Sequence, residues 1–446
     1  MADALGVPSA LPDLPATIDL GQATLKKISW RLLPLFTLGY GVAIMDRSNI
    51  GLAALQMNRD LHFSASVYGF GAGLFSIGYA LCEIPSNLAL YRFGARRWIA
   101  RIMLTWGLLA MGMMFVKTPP QFYAVRFVLG MAEAGFFPGI MFYLLQWFPD
   151  NLRARAISRF YGASPLVAIA NGLLAGPLMS LQGKFGLRGW QWLFLLEGLP
   201  AVLLSLVFLL RLPNTPDEAR WLSSSERAWL KARLAADIRT DTHLEDTWAS
   251  LRDKRIWLLG LLSFCVLTCI FAYTFTAPTI LQGVTRLSIA SIGILTAING
   301  LLSVLSLTIN ATHSDQTRER RWHIVIPLII AAAAFLVSGS TRDPWWVVSA
   351  FAVAVTGLNA TQGVIYAIPG SFLKGKSAAA GIAVVTTMGI LGGFAGPAWI
   401  GWMRDATGSF QIGLMSLAIP CVTGVAITAS LRNPTPPLAK QAESHH

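Results

Sequence analysis

The sequence predicts an all-α polytopic membrane protein with twelve transmembrane helices in two pseudo-symmetric six-helix bundles. Three observations support this prediction. Of the 446 residues, 54% are hydrophobic and only 13% are charged, whereas a soluble domain carries about 25% charged residues. Twelve stretches are long enough to cross a bilayer, which takes about 20 mostly apolar residues. Short sequence echoes also relate the first six stretches to the last six.

The twelve stretches follow one another with short connections except after the sixth. They lie near 30–55, 67–91, 97–117, 121–147, 155–181, 190–211, 255–281, 289–311, 322–339, 344–371, 377–402 and 411–431. A long polar interval opens with Leu212-Pro213-Asn214-Thr215-Pro216 and separates the two sets of six. We therefore expect an N-terminal tail at 1–29, a first bundle at 30–211, a linker at 212–254, a second bundle at 255–432 and a C-terminal tail at 433–446.

The basic residues are distributed unequally between the two sides of the membrane. The formal net charge is +13, and an N-terminus in the cytoplasm places most lysines and arginines on inner segments. The few on outer segments are Arg59, Lys117, Lys184, Arg188, Arg286, Arg342 and Arg404. This asymmetry follows the positive-inside rule, which predicts both termini in the cytoplasm. The basic surplus is then topological, and no nucleic-acid partner is expected.

Two echoes support duplicated halves. Gly172-Leu173-Leu174-Ala175-Gly176-Pro177 in span five matches Gly392-Gly393-Phe394-Ala395-Gly396-Pro397 in span eleven. The segment from Tyr91 to Trp98, after span two, matches the segment from Asp315 to Trp322, after span eight. Both matches are in register with the span count, as repeated halves require.

Four charges interrupt apolar spans: Asp46 and Arg47 in span one, Arg126 and Glu133 in span four. A charge at the bilayer centre costs about 2.5–3.5 kcal/mol, which marks such residues as functional. The helical rise places both arginines at similar depth, in the outer half of the membrane. Two guanidinium groups at one level could bind a carboxylate, and the two acids could accept protons. The alternative is that each acid only neutralises a neighbouring arginine.

Other polar residues are weaker candidates. Glu83, in the inner half of span two, is expected to lock the inner face, with the arginines of the 92–101 loop as its expected partners. Tyr79, Gln362, Tyr366 and Thr386 are candidate cavity lining, although interhelical hydrogen bonding is the alternative for each. The duplicated loops supply further gating or structural candidates: Arg92, Arg96, Arg97, Asp315, Arg320 and Arg321.

Enzymatic and metal-dependent functions are not expected. Cys265 and Cys269 have helical spacing, but no histidine or acid lies near them in sequence to complete a metal site. The sequence has no Walker loop, HExxH or G-x-S-x-G motif. Transport without a nucleotide-binding domain must run on ion or solute gradients.

Several motifs resemble a known family. They are Asp46-Arg47-Ser48-Asn49-Ile50-Gly51, Glu83-Ile84-Pro85-Ser86-Asn87, Arg92-Phe93-Gly94-Ala95-Arg96-Arg97, the segment from Arg126 to Gly139 and the segment from Arg188 to Gly198. Together they resemble the anion:cation symporter branch of the major facilitator superfamily, and the resemblance covers about residues 30–432. It is strongest to bacterial permeases for tartrate, phthalate, hydroxyphenylacetate and sugar acids.

The resemblance implies a proton-coupled symporter that imports a small organic anion by alternating access. It assigns proton coupling to Asp46 and Glu133, anion contact to Arg47 and Arg126, and a lining role to Tyr79. It also implies a monomer in the bacterial inner membrane, surrounded by lipid, with the proton as coupling ion and no other cofactor.

The second half departs from the family pattern and leaves the substrate open. Span seven reads Phe275-Thr276-Ala277-Pro278, span ten has Ile365-Tyr366, and span eleven has Thr386 and Ile390 where many members carry asparagine. Tartrate-like acids and aromatic acids are both compatible with these walls. Two other function classes stay open: an anion exchanger without proton coupling, and a transporter-like membrane receptor.

Overall fold

The computed structural model describes residues 14–149, 156, 160, 164–240, 252–373 and 375–431, and these ranges contain helices and no strand. Within them, eleven helices are long and apolar enough to cross a membrane. A further helix, Ser164–Met179, stands at the position of the predicted fifth span. The expected all-α membrane fold is confirmed. The C-terminal tail and parts of the N-terminal tail and linker lie outside the described residues.

The helices are numbered in chain order. They are α1 (Leu14–Asp60), α2 (Ala65–Phe93), α3 (Ala95–Gly112), α4 (Pro119–Glu133), α5 (Phe136–Leu145), α6 (Ser164–Met179), α7 (Gly189–Arg211), α8 (Ser224–Thr240), α9 (Lys254–Thr285), α10 (Ile289–Thr317), α11 (Trp322–Ser340), α12 (Pro344–Ala367), α13 (Pro369–Phe372), α14 (Gly375–Thr407), α15 (Phe410–Ser416) and α16 (Ala418–Ser430).

The first and fourth predicted spans differ from the helices in ways that bear on the site. Helix α1 begins at Leu14, well before the predicted start at residue 30, so part of the expected tail is helical. Its early part contacts the linker helix α8, where Lys27 pairs with Glu226 at 2.9 Å. The predicted fourth span is divided into α4 and α5 by a break at Ala134 and Gly135.

The two halves pack in the same pattern. In the first half, α2 packs on α4, α3 on α7, and α1 on α6 and α7. In the second half, α10 packs on α12, α11 on α16, and α9 on α14 and α16. Each pair in the first half has its equivalent in the second, as two pseudo-symmetric bundles require. The bundles meet where α2 packs on α14 and α6 packs on α10.

The duplicated glycine motif lies at these two equivalent interfaces. A Cβ atom added to Gly172 of α6 would collide with the carbonyl of Gly293 on α10. On the other side, a Cβ added to Gly69 of α2 would collide with the carbonyl of Pro397 on α14. Small residues allow membrane helices to approach this closely. The sequence echo therefore reflects two close helix crossings between the bundles.

The bundles are joined at the end where α1 leads into α2, which we call the loop-1 end. The Asp405 carboxylate of α14 accepts hydrogen bonds from the backbone N–H groups of Ala65 at 3.2 Å and Ser66 at 2.8 Å. The Tyr68 hydroxyl donates to the Phe275 carbonyl at 2.8 Å. Arg59 contacts Gln282 at 3.5 Å. These contacts close the loop-1 end, which the predicted topology places outside.

Candidate functional site

The central feature is an ion pair between α1 and α4. Arg47 Nε donates to Glu133 Oε1 at 2.6 Å, and the Glu133 side chain is fully buried while that of Arg47 is 29% exposed. The pair joins two of the four charges predicted from membrane cost. Arg47 thus pairs with an acid of another helix, and no ion pair joins Asp46 to Arg47 or Arg126 to Glu133 among the described residues. The exposed part of Arg47 leaves it accessible to a ligand.

The break between α4 and α5 places Glu133 at the end of a helix. Glu133 is the last residue of α4, and Gly135 adopts a φ of +86°, a left-handed conformation that favours glycine. A Cβ at Gly135 would also collide with the Ser86 side chain of α2. The C-terminal end of a helix carries a partial negative charge that disfavours a carboxylate. The ionised form of Glu133 is therefore stabilised mainly by its ion pair with Arg47.

Phe75 of α2 lies between the two arginines. The Arg47 guanidinium carbon is 5.5 Å from the centroid of its ring, and that of Arg126 is 5.0 Å from it. Arg47 also lies 4.8 Å from the Tyr79 ring, one turn further along α2. Cations are attracted to aromatic faces at such distances. The prediction that both arginines lie at a similar depth agrees with their contact with one ring.

Arg126 is more completely buried inside the protein than Arg47. Its side chain is 1% exposed, Nη2 donates to the Ala72 carbonyl at 3.0 Å, and Nε has no partner among the described residues. This N–H donor without a partner could donate to an anion or to water once the bundles move. The arrangement thus has one accessible cation and one buried cation behind it.

Asp46 is also buried, at 2% exposure, but it makes no ion pair within the described residues. Its Oδ1 accepts a long hydrogen bond of 3.4 Å from Asn49 Nδ2, and its Oδ2 has no partner there. Burying an unpaired carboxylate is costly unless it takes up a proton. Asp46 is therefore suited to exchange a proton in this site.

The second bundle carries the other predicted lining residues. Tyr366 of α12 is half-buried, and its hydroxyl lies 3.5 Å from that of Ser263. Gln362, one turn earlier, is half-buried and its Nε2 has no partner among the described residues. Thr386 of α14 donates within its own helix, to the Ile382 and Ala383 carbonyls. Gln362 is the better placed of the three to bind a ligand, because its donor is unused.

Glu83 does not contact the loop arginines among the described residues. Its Oε2 lies 3.5 Å from the Thr387 hydroxyl of α14, a contact between the bundles. Glu83 is one turn beyond Tyr79 on α2, which places it on the side of the helix that faces Arg47. The predicted contact between Glu83 and the loop arginines is therefore wrong, and a gating role for Glu83 stays a prediction.

The first of the duplicated loops contacts the linker between the bundles. Arg96 approaches Glu218 of the linker at 3.6 Å, and its backbone N–H donates to Asn214. The backbone N–H of Asn214 also donates to Glu218 and lowers the pKa of that carboxyl.

The remaining loop candidates have local contacts. Arg92 lies over the Phe93 ring at 5.6 Å, and Arg97 is exposed. In the second loop, Arg320 pairs with Asp315 at 2.6 Å, and the Arg321 carbonyl accepts from the first turn of α11.

Two buried residues near the charges, Phe75 and Glu197, were not predicted. Phe75 is apolar, so the cost of burying a charge does not identify it, and its role depends on a packing contact between helices. Asn171 of α6 donates to the Ser48 hydroxyl at 2.5 Å and so fixes α1 beside the charges. Glu197 of α7 is 1% exposed. The same membrane-cost argument that identified Asp46 and Glu133 applies to Glu197, because it also interrupts an apolar span.

Comparisons with known proteins agree with this architecture. A family model described as Major Facilitator Superfamily matches residues 36–442. A protein of Agrobacterium vitis, provisionally named a tartrate transporter, is 41% identical over 421 residues, which cover 94% of this chain and 94% of that protein. A quinolone resistance transporter of Acinetobacter baumannii is 38% identical and covers 92% of this chain and 95% of its own length.

A solved structure shares the fold. The crystal structure of a bacterial homologue of the human lysosomal transporter Spinster, in an inward-facing and occupied conformation, matches with a TM-score of 0.75. It covers 89% of this chain and 95% of that chain, at 17% identity. At that identity the likeness concerns the fold alone.

Proposed function

The chain belongs to the major facilitator superfamily, and we propose that it is a proton-coupled symporter that imports a small organic carboxylate by alternating access. The observation that carries this proposal is the Arg47–Glu133 ion pair, in which a fully buried carboxylate binds a partly exposed guanidinium group. The Agrobacterium relative, provisionally named for tartrate, supports a small organic acid as substrate. The proposed location is the bacterial inner membrane, with both termini in the cytoplasm.

Coupling follows from competition for Arg47. A substrate carboxylate that binds the exposed side of Arg47 weakens the hold of the guanidinium on Glu133. Glu133 is fully buried, so losing its counter-ion leaves a carboxylate that is costly unless protonated. Substrate binding and protonation of Glu133 therefore favour each other. By linkage, the substrate must bind more tightly when the proton is available.

Asp46 would contribute a second proton. It is buried beside Arg126 without an ion pair among the described residues, so neutralisation by a proton is available to it. Two protons would let a dianion cross without net charge. A monoanion with two protons would carry one positive charge, worth about 2.3 kcal/mol per 100 mV. Current on substrate addition separates these cases.

Loading and release require the bundles to rock around this cluster. The loop-1 end is closed by Asp405, Tyr68 and the glycine crossings, so the proposed topology makes this an inward-facing state. Opening outward would break the bonds from Ala65 and Ser66 to Asp405. Tyr79 and Gln362 would then contact the substrate from opposite bundles.

The experiment is uptake into proteoliposomes under an imposed pH difference. A thermal-shift panel of carboxylates, with tartrate and aromatic acids included, first selects the substrate. The wild type should concentrate that substrate when the outside is acidic, and Glu133→Gln should not. Glu226→Gln, an acid of the linker helix that pairs with Lys27, is the matched control and should transport normally. Concentrative uptake by Glu133→Gln would contradict the assignment.

A proton-independent anion exchanger is the second candidate. Counterflow that persists in wild-type vesicles while pH-driven uptake fails would favour it. One relative is named a quinolone resistance transporter. The direction of net transport is therefore tested separately. Reversing the pH difference on the same vesicles is that test, because a symporter must then drive substrate outward.

A further inference from the structure

A cavity outside the charge cluster lies where α7 leads into the linker. It has a volume of about 390 Å³, whereas one water molecule takes up about 30 Å³. Three arginines and one acid are among the residues that line it: Arg96, Arg211, Arg220 and Glu218. The proposed transport mechanism gives this cavity no role.

The charges of this cavity do not balance. Arg96 approaches the Glu218 carboxylate at 3.6 Å, whereas Arg211 and Arg220 form no ion pair among the described residues. Both of these arginines are exposed to the surroundings of the protein. Three arginines against one acid leave an excess of two positive charges on the lining. The cavity is therefore suited to an anion.

The wall of the cavity is held in place by contacts with neighbouring helices. The Tyr143 hydroxyl of α5 donates to the carbonyl of Pro213, a lining residue, at 2.7 Å. Trp221, which also lines the cavity, stacks on Trp147 with ring centroids 5.9 Å apart. The guanidinium carbon of Arg31 on α1 lies 5.2 Å from the Trp221 ring centroid and brings a further cation to this wall. An anion would thus meet a preformed, positively charged cavity.

The position of the cavity indicates what kind of anion it takes. Arg211 is the last residue of α7, so the cavity lies where this membrane-spanning helix ends. Leu203, Leu206 and Leu210 recur at helical spacing along α7 and are 55%, 51% and 81% exposed. On a membrane protein, an exposed stripe of leucines faces lipid acyl chains. This stripe ends at the cavity, because Leu210 also lines it.

We propose that the cavity binds the phosphate group of an anionic phospholipid through Arg211 and Arg220, with an acyl chain along the leucine stripe of α7. Guanidinium groups bind phosphate oxygens in pairs of hydrogen bonds. Basic pockets at the ends of membrane helices are suited to anionic headgroups. A soluble phosphate would meet the same arginines but would leave the adjoining Leu210 uncovered. The bound lipid connects the end of α7 to the linker, since Arg220 follows the turn after Arg211.

The test is native mass spectrometry of the full-length protein released from micelles that contain phosphatidylglycerol or phosphatidylethanolamine. The wild type should retain phosphatidylglycerol in preference to phosphatidylethanolamine, which has no net charge. Arg211→Gln and Arg220→Gln should each weaken phosphatidylglycerol binding about fivefold, and the double variant about thirtyfold, as loss of one or two cations beside a headgroup implies. Arg233→Gln removes an exposed arginine of α8 that is not part of the lining. It is the matched control and should bind like the wild type.

Two further measurements separate a lipid from a soluble phosphate. Leu210→Gln should weaken phosphatidylglycerol binding although it removes no charge. Glycerol 3-phosphate, added in large excess, should not displace the bound lipid. Displacement by glycerol 3-phosphate would assign the cavity to a soluble phosphate and contradict the proposal.

The contrary outcomes are defined by the same spectra. Equal retention of the two lipids by the wild type would overturn the proposal, as would unchanged phosphatidylglycerol binding in the double variant. If the double variant does not fold, each single variant must still show its own loss. Because no transport is measured, these outcomes are independent of whether the protein is a symporter.

Discussion

Glu133→Gln should make substrate binding tighter and less dependent on pH. In the wild type an incoming carboxylate must displace Glu133 from Arg47, where the two groups are 2.6 Å apart. A neutral amide competes for the guanidinium much less strongly than a carboxylate does. In alkaline buffer, the variant should therefore bind the anion more tightly than the wild type does.

The size of the effect follows from the strength of the lost competition. A hydrogen bond to a charged group contributes about 1.5–3 kcal/mol to a folded protein. The lower end of that range applies here, because the Arg47 side chain is 29% exposed and partly screened by water. About 1.4 kcal/mol is a factor of ten, so the affinity of Glu133→Gln in alkaline buffer should exceed that of the wild type by about tenfold.

The assay is isothermal titration calorimetry across a pH series, with the carboxylate that stabilises the wild type most in the thermal-shift panel. Wild-type affinity should fall as pH rises, and the Glu133→Gln affinity should fall less steeply, because only Asp46 is left to link binding to pH. Glu226→Gln should follow the wild type. A Glu133→Gln affinity that is weaker than wild type, or that falls with pH in parallel with it, would refute competition between substrate and Glu133.

Three further predictions concern other parts of the fold. Phe75→Leu removes the ring between the two arginines and should weaken anion binding in calorimetry by about three- to thirtyfold, as loss of one or two cation–π contacts implies. Gly135→Ala forces a left-handed backbone at a cost of about 1–3 kcal/mol and should lower the unfolding temperature, while the control Gly283→Ala, with open space around it, should not. Glu218→Gln should lower the free energy of unfolding by about 0.2–1 kcal/mol near neutral pH, as loss of a surface pair does. Because the pKa of Glu218 is lowered in the folded protein, this contribution is lost as pH falls through that pKa. Wild type and variant should therefore unfold alike in acid.

The helices could be predicted because each span depends on local composition. Membrane length, apolar content and the positive-inside asymmetry are properties of continuous segments, and the glycine echo indicated the duplicated halves. The extension of α1 back to Leu14 was missed because that segment is stabilised by contact with the linker helix, as at Lys27 and Glu226. No apolar run marks it in the sequence.

The membership of the charge cluster was predictable, but its pairing was not. The cost of burial identified Asp46, Arg47, Arg126 and Glu133 one residue at a time. Which acid meets which arginine depends on the rotation of α1 against α4, and on the break after Glu133 that ends α4. Phe75 was missed for the same reason, because an apolar residue in an apolar helix has no anomalous cost.

Proton flux tests the central claim most directly. Proteoliposomes with a pH-sensitive dye inside receive the selected carboxylate outside, with no initial pH difference and a permeant ion to remove any voltage. If substrate displaces Glu133 and the acid then carries a proton, wild-type vesicles should acidify inside as substrate enters, and Glu133→Gln vesicles should not. Substrate entry into wild-type vesicles without internal acidification would contradict the account.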